Sequence, residues 1–91
     1  MVIILFKNVI KHYINIITIN DVIMFGKQEN IEVSIDEAKI VLQYLKEDWE
    51  NIIYGSEIKV KAFLNNIFDE EKCEKIFKLF LTYKKRYRNY L

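Results

Sequence analysis

Few side chains in this sequence are of types that perform chemistry, and the spacing keeps them apart. His12 is the one histidine and Cys73 the one cysteine. Nucleophilic catalysis needs a hydroxyl or thiol with a base in hydrogen-bond reach. The two serines, Ser34 and Ser56, read instead as caps at the starts of helices. Gly26 and Gly55 stand singly, so no glycine-rich loop cradles a phosphate. A metal site needs several His, Cys or carboxylate ligands converging, and His12 with Cys73 is not such a set. The sequence therefore gives no catalytic, cofactor-binding or metal-ligating residues, no cofactor, and no sign of an enzyme.

What remains are charged surfaces. Residues 36–74 hold ten acids and five bases, whereas residues 75–91 hold six bases and no acid, although the whole chain is only +1. Within the acidic segment, Glu47, Asp48 and Glu50 flank Trp49. Carboxylates so placed would suit a patch that meets a basic groove on a partner protein. At the carboxyl end, Lys84, Lys85, Arg86, Arg88 and Tyr90 combine cations with aromatic rings. That combination can grip phosphates and stack on bases, or meet an acidic protein. Near-neutrality weighs against nucleic acid, because domains built for it are usually basic overall. The four bases also spread around a helix, where cations near a carboxyl terminus complement the helix dipole.

These residues need elements to hold them. With 91 residues the chain fits one domain, residues 1–91, and the 52% hydrophobic fraction provides for a core. No proline interrupts it, so long elements and short turns are expected. Residues 2–17 place Lys7, Asn8, Lys11, His12 and Asn15 on one helical face. Val2, Phe6, Val9, Ile10, Tyr13, Ile16 and Ile17 take the opposite one. From Ile17 the pattern shifts towards alternation: Ile17, Ile19, Ile23 and Phe25, then a Gly26–Asn30 loop, then Ile31, Val33 and Ile35. This predicts a β-hairpin, which must pack on a helix to be stable.

Ser34-Ile35-Asp36-Glu37 has the pattern of a capping box opening a helix to about Tyr54, with Gly55 as a left-handed cap residue. Residues 57–68 fit a short helix or a third strand, with the helix preferred. Asp69 caps a last helix whose apolar stripe is Cys73, Ile76, Phe77, Phe80, Tyr83 and Tyr87.

The expected fold is thus α+β, three or four helices packed on a short β-hairpin. Its rival is an all-helical bundle in which residues 17–33 are irregular. The absence of paired cysteines points to a reducing, cytoplasmic setting. No stretch approaches a spanning helix and no signal peptide precedes the apolar start. By elimination, the function expected is a small non-enzymatic protein-binding regulator or inhibitor that occludes a partner. The Ile-, Asn-, Lys- and Tyr-rich composition of AT-rich coding suggests a phage or other mobile element. The alternative is a nucleic-acid-binding module using the basic, Tyr-rich carboxyl end. Peripheral membrane contact through residues 6–13 ranks last.

Overall fold

The computed structural model describes residues 2–87. It contains five α-helices: α1 Val2–Ile16, α2 Ile19–Gln28, α3 Ile35–Tyr54, α4 Glu57–Ile67 and α5 Glu70–Tyr87. Among the described residues there is no strand, so the fold is all-helical and the expected β-hairpin does not form.

The segment assigned to the hairpin's first strand and turn is α2. Its start is a second capping box: the Asp21 amide donates to Thr18 Oγ1 at 3.2 Å, and the Thr18 amide donates to Asp21 Oδ2 at 2.9 Å. Ile19, Val22, Ile23 and Gly26 then form an i, i+3, i+4, i+7 face of partly or fully buried residues. Gly26, read as a turn residue, lies inside this helix and is buried. A Cβ there would stand 2.8 Å from the Ile31 carbonyl oxygen and 2.9 Å from Val33 Cγ2. The turn comes later, at Asn30, whose φ of 59° is left-handed. The Ile31 amide donates to the Gly26 carbonyl at 2.7 Å and the Asn30 amide to that of Lys27 at 3.1 Å. These two bonds make a Schellman motif, with Asn tolerating the conformation more usual for Gly. Ile31, 6% exposed, supplies its apolar plug. Residues 31–34 are a short linker. The α+β expectation is thus corrected; the all-helical rival has the right class, but most of its irregular segment 17–33 is α2.

The Ser34 box is present: the Glu37 amide donates to Ser34 Oγ at 3.1 Å, and the Ser34 amide to Glu37 Oε1 at 2.9 Å. Ala38, Val41, Leu42, Leu45 and Ile52 form the inward stripe of α3. Trp49, on that stripe, is only half-buried. At Asp48 the helix kinks (φ −133°, ψ 21°). There the Asn51 side-chain amide donates to Asp48 Oδ1 at 2.7 Å. Gly55 ends α3 with φ −94°; it is not left-handed as expected. Ser56 occupies the cap position of α4 without a side-chain cap bond.

Residues 57–67 are helical, and α4 and α5 form an antiparallel hairpin. Asp69 caps α5 by accepting from the Lys72 amide at 2.8 Å. The core lies where this hairpin meets α3, around Ile52, Val60, Leu64, Phe68 and Cys73. Tyr44 stacks on Phe63 there, with ring centroids 3.7 Å apart. The Cys73 thiol, 1% exposed, donates to Asn65 Oδ1 at 2.9 Å. Helix α1 crosses antiparallel to α3: the Lys7 ammonium lies 4.7 Å from the Tyr54 ring centroid, and Lys46 Nζ donates to the Asn15 carbonyl at 3.4 Å.

Candidate functional site

The fold does not gather the three carboxylates flanking Trp49 into one patch. Glu47 and Glu50 are exposed, i and i+3 on α3, while Asp48 is half-buried at the kink and turned towards Asn51. Glu47 accepts from Gln43 Nε2 at 3.0 Å. It also lines a shallow groove with Ile19, Lys39 and Lys46, so cations dilute its charge. Two phenols nearby feel the acids. Partial burial, and then the Asp48 carboxylate, raise the pKa of Tyr44; partial burial, and then Glu50, raise that of Tyr54.

At the basic end, Lys84 reaches back along the α4–α5 hairpin to the Glu57 carboxylate, 3.5 Å away. Its ammonium also lies 5.6 Å from the Phe80 ring centroid. Arg86 stacks over Tyr83 at 5.3 Å, and Lys85 is exposed. The bases therefore point in several directions and one is engaged by an acid. Arg88 and Tyr90, and the side chain of Tyr87, lie outside the described residues. Among the described residues no three His, Cys, Asp or Glu side chains are placed to hold a metal ion. No described helix is long and apolar enough to cross a membrane.

The surface that sequence reasoning treated as interior is on α1. Its apolar residues span about half the helix circumference, but α3 covers only part of that arc. Ile14 is 9% exposed, with Ile10 and Ile17 half-buried beside it. Val9, Tyr13 and Ile16 remain 61%, 59% and 59% exposed. The signal available in the sequence was the width of the arc, greater than one neighbouring helix can cover. Val2 and Phe6 share its register, and their side chains lie outside the described ones. Elsewhere the exposed apolar residues are more scattered, Ile58 at 79% and Ile35 at 61% among them, and single ones are ordinary.

No curated protein and no solved structure matches this chain. A family model described as a protein of unknown function, DUF2624, matches residues 1–84. With nearly the whole sequence covered, the chain belongs to the DUF2624 family.

Proposed function

We propose that this chain is a non-enzymatic protein-binding regulator that works by covering, or being covered on, the open face of α1. The observation that carries this reading is the Val9–Tyr13–Ile16 stripe, three large apolar side chains each about 60% exposed on one helical face. A contiguous apolar stripe is removed from water by another apolar surface, and on soluble proteins such patches are often functional. The three residues of the stripe carry no cation that would hold a phosphate. The acidic residues Glu47 and Glu50, on the helix α3 against which α1 packs, then act as surroundings that select among partners.

Affinity capture with the tagged chain from its native lysate, with and without nuclease, tests the reading. A protein retained after nuclease and lost with Tyr13→Glu is the expected result. Recovery of nucleic acid alone, abolished by replacing Lys84, Lys85 and Arg86 with Gln, would overturn it in favour of the basic end.

A further inference from the structure

We infer that the groove between α2 and α5 binds an acidic peptide segment of a partner protein. The segment lies extended, with two carboxylates four residues apart and an apolar side chain midway between them. The groove, of about 470 Å³, has Lys78, Leu79 and Thr82 of α5 on one side. Glu29 and Ile31, where α2 ends, form the other. One turn away on each helix the Phe25 ring meets that of Tyr83, with centroids 6.0 Å apart. Phe25 stays 46% exposed there. Lys75, Lys78, Leu79, Thr82, Tyr83 and Arg86 fall at i, i+3, i+4, i+7, i+8 and i+11, so one face of α5 supplies the whole wall.

Charge on that wall has one sign, because α5 carries no acid after Glu74. Lys75 is paired with Glu71 at 3.5 Å. Lys78 is exposed and makes no ion pair among the described residues. Arg86 is exposed too, 5.3 Å from the Tyr83 ring centroid. These two cations stand eight residues apart, which is about 12 Å along a helix. Four residues of extended chain span about 13 Å, so carboxylates at the two ends of such a stretch meet both cations. The residue midway points to the same side of the chain as the two acids. It meets Leu79 and the Phe25 and Tyr83 rings, which lie between the cations.

Glu29 separates a peptide from a polyanion. Its carboxylate faces the same groove from the opposite wall. A peptide backbone offers it an N–H donor, whereas a run of phosphates along the groove would be repelled by it. This groove and the α1 stripe are built by different helices, so the inference stands independently of what Val9, Tyr13 and Ile16 dock.

Selection of a short random-peptide library on the immobilised full chain tests the assignment. Enriched sequences should carry Asp or Glu at two positions four apart, with Leu, Ile, Phe or Met midway. A fluorescent synthetic copy of the enriched peptide should lose about tenfold or more in affinity for Lys78→Glu and for Arg86→Glu. Tyr13→Glu should leave that affinity unchanged. Circular dichroism checks that the variants keep their helices. Selection repeated on Lys78→Glu should exchange one of the two acids for Lys or Arg. A readout free of substitutions is the amide shift map of the native chain titrated with the peptide, which should centre on Ile31, Lys78 and Leu79. No enriched sequence, enrichment without the acid pair, or shifts centred on Val9–Ile16 would each overturn the inference. So would acid-bearing peptides indifferent to both charge reversals. An oligothymidylate that displaces the peptide and is itself lost with Lys78→Glu would assign the groove to single-stranded nucleic acid and overturn it as well.

Discussion

The amino-terminal helix and the carboxyl-terminal hairpin are built from similar material and treated differently by the fold. Both present apolar residues at helical spacing. Around Leu64 and Cys73, three helix segments converge, so that Val60 and Leu64 on α4 and Phe68 just after it are at most 6% exposed. On α1 one helix lies alongside, and the second half of the apolar arc stays in water. Burial depends on how many neighbours surround a side chain, and two elements with comparable amphipathicity end as a core and as an exposed face. The same contrast governs charge. Glu57 and Lys84 are tied by the hairpin, while Lys11 on α1 is simply exposed.

Truncation breaks this contrast most directly. Leu64→Ala, at 5% exposure, should lower stability by about 2–5 kcal/mol, because it removes buried methyl groups and leaves a cavity. Val9→Ala should change stability of the monomer by no more than about 0.5 kcal/mol. Thermal or denaturant midpoints measured at low concentration check both, and equal losses would mean that α1 is buried in solution.

Gly26→Ala sharpens the picture where α2 meets the linker. Helix propensity alone favours Ala by about 1 kcal/mol. The new Cβ would nevertheless meet backbone at 2.8 Å, and overpacking of this kind costs about 1–3 kcal/mol. A lower melting midpoint is expected; a higher one would show that the linker yields easily.

The two capping boxes give a smaller effect. Ser34→Ala and Thr18→Ala should each cost about 0.5–2 kcal/mol by orphaning one amide. Loss of helical circular dichroism in Thr18→Ala would also report directly on α2, the helix that stands where alternation predicts a strand.

The smallest effect is titration of Tyr44. Its pKa is raised in the folded chain, chiefly by burial and further by Asp48. The folded state therefore binds the phenolic proton more tightly than the unfolded one. That contribution is complete below the ordinary value of 10.0 and is lost as pH rises through the folded pKa. Denaturation midpoints should be flat with respect to this group at neutral pH and fall at alkaline pH. The fall should be shallower in Tyr44→Phe, which keeps the stacking on Phe63.

Much of the framework was legible locally. Ser34-x-x-Glu37 and Asp69 mark helix starts through bonds made within four residues, and the stripe of α5 follows from its own period. The helix preference for residues 57–68 agrees with α4. The segment from Ile17 to Val33 was misread because Ile17, Ile19, Ile23 and Phe25 alternate as in a strand, while Ile19, Val22, Ile23 and Gly26 also share one helical face. Thr18-x-x-Asp21, the local signal that decides for helix, is a less familiar variant of the capping box. Within the acidic trio, the kink at Asp48 is a feature that the spacing of Glu47, Asp48 and Glu50 did not show.

By itself, then, the sequence determined where amides would be capped, which residues are apolar together, and how charge is divided along the chain. All of these are settled by neighbours within about one helical turn. Only the tertiary structure decided that α2 is a helix against α3 and that α1 keeps half its apolar arc in water. Each of these depends on contacts between residues far apart in sequence, and burial is a property of the surroundings that a side chain's own identity does not contain.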